Sequence, residues 1–556
     1  MKKLINDPRH VVRELLEGTV DLSPDLALLE GEDVVVRRDL PPAAERKVAI
    51  LSGGGSGHEP AHAGYVGRGM LTAAIAGDVF TSPSTDAVLA AILAVSGPAG
   101  AVLVVKNYTG DRLNFGLAAE LARQQGIPVE VVVVADDVSL RELVKAERRR
   151  GIAGTVLVHK LAGAAAERGL PVAAVADIAR KAAAQLGTMG VGLGACIVPA
   201  AGVPGFELGE SEIEFGLGIH GEKGVERTTM RSADEIVASL LDAIVEDRGL
   251  ASGTQVALLV NGLGGTAQME LAIVARAALR ILRARGIAVP RAWSGSFMTA
   301  MEMPGCSLSL LPLNGERADL LDDPTSAPAW HGSGRVASGR SIIAAPVRPA
   351  PEPAVTGPLT PRLKQLTLAV AAALEAAEAH LTDLDSRAGD GDLGASMARG
   401  AAAIRGMPDE SYATPARLLA DLGNAVRRAI AGSSGPFYAT ALLRASARLH
   451  DLPGPGAADW LRAFEAGIEA ITELGGARPG DRTMVDALVP AAEAWRAGGF
   501  GTAADAATRG AEATSRMFPA LGRASYLGER AVGTPDAGAV AVAVWLGAIS
   551  DEIAME

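Results

Sequence analysis

Short apolar runs punctuate the first 344 residues of the chain. VAILSG (48–53), AVLVVK (101–106), VEVVVVAD (129–136) and QVALLVNG (255–262) are apolar at successive positions, and Ala-rich stretches of helical length separate them. Strands with both faces covered read this way, so the rhythm predicts βαβ units. The segment 197–224 breaks it with Gly and Glu, which divides the region into two α/β lobes, about 1–190 and 191–344. Beyond 360 the strand runs vanish. In ADWLRAFEAGIEAITELG, Trp460, Leu461, Phe464, Ile468 and Ile471 recur at steps of three and four, the spacing of one buried helix face. The stretches 363–382, 416–431, 437–450 and 483–497 behave alike. Between the two patterns, Pro346, Pro349, Pro351, Pro353, Pro358 and Pro361 favour extended chain. The expected organisation is therefore a domain over 1–344, a Pro-rich linker over 345–358 and an all-helical domain over 359–556.

Composition narrows the class. With 64 acidic and 52 basic residues the formal net charge is −12, which argues against nucleic acid as a partner. Aromatics are only 3% of the chain, so the cores must be built from aliphatic side chains. Cys196 and Cys306 stand apart with no Cys/His cluster, which fits a reducing compartment and supports neither a disulfide framework nor a zinc site. The N-terminal MKKLINDPRHVV lacks the apolar core of a secretory signal. A soluble, cytoplasmic protein with no membrane partner is expected.

The 66 glycines draw attention to loops. In LSGGGSGHEPAH an apolar strand over 48–52 runs into Gly53, Gly54, Gly55, Ser56, Gly57 and His58. Such a run either lets backbone N–H groups approach a ligand or makes a tight turn; its spacing matches neither phosphate-loop consensus. KNYTGD places Lys106, Asn107 and Asp111 after the strand AVLVVK, at the carboxyl end where open α/β sheets bind ligands. Asp111 there is a general base or an ordinary turn residue. In GLGIHGEKG, His220 lies between Gly218 and Gly221, an open backbone suited to a nucleophile or an acid/base group. His62 is read as support for the loop carrying His58, and His159 is given no role.

The helical region carries a different chemistry. LDSRAGDGDLG sets Asp385, Asp390 and Asp392 close together around two glycines. Carboxylates so crowded repel one another, so they either share a hard divalent cation that relieves the repulsion or belong to a solvated loop. GSSGP (432–436), PGDRTMVDAL and GRASYLGER are helix-entry loops of the kind that cap a helix or hold a phosphate. Lys364 is the last lysine, so no phosphate-loop lysine exists beyond it. A bound nucleotide would depend on cations at the Asp cluster, helped by arginine.

Taken in order, SGGGSGHEP, KNYTGD, GLGIHGEKG, LDSRAGDGDLG, GSSGP, PGDRTMVDAL and GRASYLGER resemble the motifs of the ATP-dependent dihydroxyacetone kinases over nearly the full length. The resemblance implies a two-lobed α/β substrate domain followed by an all-α antiparallel helical barrel. It implies that His220 attacks the C2 carbonyl of a short ketose and holds it as a covalent hemiaminal. Gly55, Ser56, Gly57, His58, Lys106 and Asp111 would line the same pocket, with Asp111 and His58 handling the hydroxyl proton. In the barrel, Asp385, Asp390 and Asp392 would hold two Mg²⁺ ions on the ATP phosphates. The implied nucleotide contacts are Leu393, Gly394, Ala395, Ser396, Ser433, Ser434, Gly475, Met484, Arg523, Asp536, Ala537 and Gly538. A homodimer with domains crossed between chains is the implied assembly.

The expected reaction is phosphorylation of dihydroxyacetone by ATP. A tetrulose such as erythrulose is an alternative acceptor. From other classes, a sugar-binding sensor or phosphorelay component and a lyase forming a cyclic flavin phosphate from FAD remain as readings.

Overall fold

The computed structural model describes residues 2–346, 357–452 and 454–555. They form two compact units, one ending at Ile343 and the other starting at Ala344. Most of the stretch expected to join them, 345–358, lies outside the described residues.

The first unit holds two six-stranded sheets. Strands β1 (Leu26–Leu28), β2 (Val34–Arg37), β3 (Ala49–Ser56), β4 (Ala73–Val79), β5 (Ala101–Lys106) and β6 (Val129–Val134) lie in the order β1-β2-β4-β3-β5-β6. β3 pairs in parallel with β4 and β5, and β5 with β6. The second sheet contains β7 (Gly187–Gly192), β8 (Glu212–Phe215), β9 (Glu226–Thr229), β10 (Gln255–Gly262), β11 (Ala288–Gly295) and β12 (Gly305–Pro312). Its order is β11-β10-β12-β7-β8-β9, and only β10 and β11 run parallel. The helices are α1 (Val11–Asp21), α2 (Thr85–Val95), α3 (Thr109–Gln124), α4 (Thr155–Glu167), α5 (Val172–Gln185), α6 (Ala233–Arg248), α7 (Gln268–Ala284) and α8 (Gly315–Asp322).

The apolar runs are buried on both faces, as their composition predicts. Leu51, Leu103 and Val105 meet α2 and α3 through Val88, Ile92, Phe115 and Ala119. The alternate residues Ile50, Val102 and Val104 meet α4 and α5. On the second sheet Leu258, Val260 and Leu308 face α6 and α7. Leu259 and Leu311, on its opposite face, join the same core as Val104 and Leu161. The two sheets thus share a core, which lets loops of one sheet be held rigidly against the other. β3 also differs from expectation, since it continues through the glycines to Ser56. Gly53, Gly54 and Gly55 pair with Ile75, Ala76 and Gly77 of β4, and this pairing overrides the low strand preference of glycine.

In the second unit the described helices are α9 (Thr360–Ala376), α10 (Glu378–Ala388), α11 (Leu393–Arg405), α12 (Pro415–Ala429), α13 (Ser434–Arg448), α14 (Ala457–Gly475), α15 (Val485–Gly498), α16 (Phe500–Ala513) and α17 (Ala537–Ala554). α9 packs on α11, each helix from α11 to α17 packs on the next, and α17 packs on α9. The helices therefore close a barrel, with α10 set against α11 and α17. Small apolar residues such as Ala487, Ala503, Ala507 and Ala539 line its core with Leu488 and Val542. α17 is long and apolar enough by composition to cross a bilayer; here Ala539, Ala541, Val542 and Leu546 pack among its neighbours.

Candidate active site

The carboxyl ends of β3 and β5 and the first turn of α3 bring Gly54, Lys106 and Asp111 together. A Cβ on Gly54 would stand 2.7 Å from Lys106 Nζ and 3.5 Å from Asp111 Oδ2. Glycine is what lets the ammonium and the carboxylate approach this backbone. Gly55 is equally constrained, because its Cβ would lie 2.5 Å from the Thr81 backbone nitrogen. Gly57 has φ +100°, and a Cβ there would meet the Phe80 ring at 2.8 Å. Ser56 Oγ donates to Gly77 O at 2.8 Å, which fixes the end of the strand. Lys106 is fully buried and its Nζ has no hydrogen-bond partner among the described residues. Burial draws its pKa down, while Asp111, Glu222 and Glu59 push it back up. A buried ammonium without a partner points to a polar ligand at this place. Asn107 is turned to a structural task, its amide donating to Glu147 O and Arg149 O.

His58 is fully buried beside them. Its Nδ1 lies 2.7 Å from Thr299 O; a carbonyl only accepts, so Nδ1 carries the proton. Nε2 is left as a lone-pair acceptor without a partner. Burial, then Lys106 and His220, hold the His58 pKa well below the usual histidine range. The His220 ring stands edge-on to three rings, with centroids 4.9 Å from His58, 5.2 Å from Phe80 and 4.7 Å from Tyr108. Gly221, at φ +81°, turns the chain back so that Glu222 reaches its neighbour. Glu222 Oε1 lies 2.9 Å from His220 Nδ1, and Oε2 accepts the His220 backbone N–H at 2.9 Å. Burial opposes ionisation of Glu222, yet these bonds and the His220 charge outweigh it and bring its pKa to about 2.

All the residues expected in this pocket, Gly55, Ser56, Gly57, His58, Lys106, Asp111 and His220, lie in the one unit around these loops. Sequence reading alone did not single out Phe80, Tyr108, Glu222, Arg150 or Thr299. Arg150 braces the His220 loop, donating to Asp137 Oδ2 at 2.7 Å and Gly216 O at 2.7 Å. His62 and the unassigned His159 share Ser52 as partner, at 3.4 and 3.1 Å from its Oγ, beneath the glycine strand. The one available signal was the carboxylate two positions after His220 with a glycine between.

In the helical unit, one ligand atom from each of Asp385, Asp390 and Asp392 lies within 4.8 Å of the others. Asp385 Oδ2 accepts the backbone N–H groups of Asp392 at 2.9 Å and Leu393 at 3.2 Å. That bond set folds the loop so that Leu393, Gly394, Ala395 and Ser396 open α11. Gly394 is held where a Cβ would overlap Thr382 and the Glu378 carbonyl. Three hard oxygen donors this close fit a divalent cation. Asp536 caps α17, accepting Ala539 N–H at 2.8 Å. Burial raises its pKa to about 6, opposed by the Ala539 bond and Arg482 and reinforced by Asp486 and Asp385. Electrostatic coupling thus links the start of α17, with Ala537 and Gly538, to the Asp cluster. A Cβ on Gly538 would lie 3.9 Å from Met484 Cβ, at the start of α15. Ser433 and Ser434 open α13, and Gly475 ends α14 where a Cβ would meet Phe437 of α13 at 2.7 Å. The Arg523 side chain lies outside the described residues. Arg482, unpredicted, is buried at φ +61° and its Nη2 donates to Ala531 O and Thr534 O at 2.9 and 2.8 Å.

Comparison with known proteins agrees with this architecture. Residues 17–329 match the Dak1 domain and residues 387–551 the DAK2 domain. The chain is 45% identical over 574 residues to a triokinase/FMN cyclase of Bos taurus, covering 99% of this chain and 98% of that one. It is 36% identical to a D-erythrulose kinase of Mycolicibacterium smegmatis, covering 99% and 98%. The crystal structure of the C. freundii dihydroxyacetone kinase in complex with AMP-PNP and Mg²⁺ is similar, with TM-score 0.66, 36% identity and 99% of each chain covered. The resemblance read from the motifs is borne out, as is a two-sheet α/β domain followed by a helical barrel: the chain belongs to the dihydroxyacetone kinase family, as a fusion of a Dak1 and a DAK2 domain.

Proposed function

We propose that this kinase transfers the γ-phosphoryl group of ATP to a hydroxyl of a short-chain ketose, most simply dihydroxyacetone, tethered through His220. The observation that carries this reading is the His220 imidazole packed edge-on to His58 above a pocket holding an unpartnered Lys106 ammonium and Asp111. A ketose carbonyl carbon is the electrophile such an imidazole takes. Adding a ring nitrogen to C2 forms one C–N bond and sends the carbonyl π pair to oxygen. Net, one proton passes from the ring to that oxygen. The adduct fixes the neighbouring hydroxyl, replacing diffusion with a set geometry. The bare Nε2 of His58 is then an acceptor for the hydroxyl proton, with Asp111 beside it.

In the helical unit Asp385, Asp390 and Asp392 would hold Mg²⁺. When bound there, the cation neutralises charge on the ATP phosphates, which matters in a region with no lysine beyond Lys364. The first turns of α11, α13 and α17 offer backbone N–H groups to the same nucleotide. C. freundii dihydroxyacetone kinase was crystallised with AMP-PNP and Mg²⁺, which supports this assignment of ligand.

The test is ADP release from Mg-ATP in the presence of dihydroxyacetone, erythrulose or glycerol. Ketose-dependent release is expected, with none from glycerol, which has no carbonyl to tether. Absence of any ketose-dependent release would overturn the reading. A tetrulose acceptor is favoured by the D-erythrulose kinase relative, and the same panel decides it. The triokinase/FMN cyclase relative supports a second activity, release of a cyclic flavin phosphate from FAD; incubation with FAD and mass analysis of the product tests that.

A further inference from the structure

We infer that Glu222 is the positioning residue of the His220 anchor, holding the proton on Nδ1 and leaving Nε2 as the nucleophilic nitrogen. The inference rests on the reading of His220 as the ketose tether and deepens it.

Both oxygens of Glu222 are committed to His220, one to the ring Nδ1 and one to the backbone N–H, each at 2.9 Å. A carboxylate can only accept, so the ring nitrogen facing it must carry hydrogen, and the lone pair of the neutral imidazole falls on Nε2. Edge contacts with His58, Phe80 and Tyr108 hold the ring in that orientation. The loop around the pair is clamped at both ends. Arg150 donates to Gly216 O at 2.7 Å, and Glu214 accepts the Gly224 N–H at 2.7 Å. Gly218 leaves the room that the carboxylate occupies, since a Cβ there would overlap it. A solvated glutamate of a flexible glycine loop would show none of this.

The consequence is chemical. The Nε2 lone pair forms the bond to C2, and the π pair of the carbonyl moves to oxygen. The ring passes through an imidazolium whose Nδ1–H faces the Glu222 carboxylate. Its proton then leaves the ring while the oxygen gains one, so the neutral hemiaminal forms without any co-reactant. Glu222 thus sets the starting tautomer and stabilises the charge that appears on the ring.

Two measurements on the full chain test this. Nitrogen NMR of histidine-labelled protein, with His220→Ala identifying the signals, should show His220 in the Nδ1–H tautomer, and Glu222→Gln should lose that preference. Time-resolved intact-mass analysis with dihydroxyacetone and no ATP should show adduct forming about 10²- to 10⁴-fold more slowly in Glu222→Gln, the range for losing a tautomer-setting carboxylate or a positioned proton partner. Glu222→Asp should recover part of that rate, and nucleotide affinity should be unchanged. A wild-type His220 protonated on Nε2, or a Glu222→Gln adduct rate equal to wild type, would overturn the inference. Wild-type protein that forms no adduct at all would instead count against His220 as the tether, with the tautomer still deciding the role of Glu222.

Discussion

His58 and Thr299 hold each other by a reciprocal pair of hydrogen bonds, His58 Nδ1 to Thr299 O at 2.7 Å and Thr299 N to His58 O at 3.1 Å. The pair joins the glycine loop of the first sheet to the chain leaving β11 in the second. It commits Nδ1 as a donor and leaves Nε2 as the acceptor, so the part proposed for His58 is that of a base. His58→Asn is therefore expected to lower kcat by about 10²- to 10⁴-fold, while the ketose adduct on His220 still appears in an intact-mass spectrum. Because burial, Lys106 and His220 hold the His58 pKa well below 6.5, its unprotonated form persists on acidification, and any acid limb it causes in a pH–rate profile should lie below that value.

Two neighbouring glycines should fail in different ways. In Gly54→Ala the new methyl meets the flexible end of Lys106 but sits on a backbone at φ +156°, so ketose binding is expected to fall together with some loss of stability. In Gly55→Ala the methyl meets the Phe80 and Thr81 backbone, which cannot yield, and stability should fall by about 1–3 kcal/mol. Thermal unfolding alongside ketose titration separates the two.

Asp385 has two tasks in the proposed reading, since it folds the loop before α11 and belongs to the candidate cation cluster. Asp385→Ala is expected to weaken Mg-ATP binding at least about tenfold, in the range for losing a group that orders a metal site. Chelation of divalent cations should do the same in the wild type. Neither change should reduce the His220 adduct, because the residues proposed to hold the ketose all lie in the first unit; calorimetry with AMP-PNP and intact-mass analysis provide the two readouts.

Asp136 makes stability depend on pH. Its buried carboxyl accepts from Ile152 N at 2.7 Å, Gly154 N at 2.9 Å and Thr188 Oγ1 at 2.6 Å, and burial raises its pKa from 3.8 to about 6. With the folded value above the unfolded one, the folded state holds the extra proton between them. Its contribution is fully present below the unfolded value and is lost as pH rises through the folded one. The stability of wild type relative to Asp136→Asn should therefore fall by about 2–3 kcal/mol between about pH 4 and 7, as read by urea unfolding.

Strands β3, β5, β6 and β10 and the helical half were legible because burial on both faces and a three-to-four residue step leave plain marks on a sequence; the other strands, shorter or interrupted by Gly and polar residues, were not. His220 and the Asp cluster were legible from residue type and spacing. The rest depends on contacts that spacing does not encode. Thr299 reaches His58 from 241 residues away. Glu222 meets His220 only because Gly221 adopts a left-handed backbone. The strand continues through Gly53 to Gly55 because β4 pairs with it, and Arg482 takes its place through carbonyls of Ala531 and Thr534.

The helical barrel closes on a seam between its first and last helices, where Arg362 Nη2 in α9 donates to Glu552 O in α17 at 3.0 Å. A ring of this kind cannot be completed by a growing chain until α17 has left the ribosome. From the time they are made until α17 emerges, α9 and α11 wait with an unfilled side, while both sheets of the first unit already have every strand they need. The Dak1 half can thus mature before the DAK2 half exists, and a chain cut short before α17 would carry the pocket around His220 without a closed barrel.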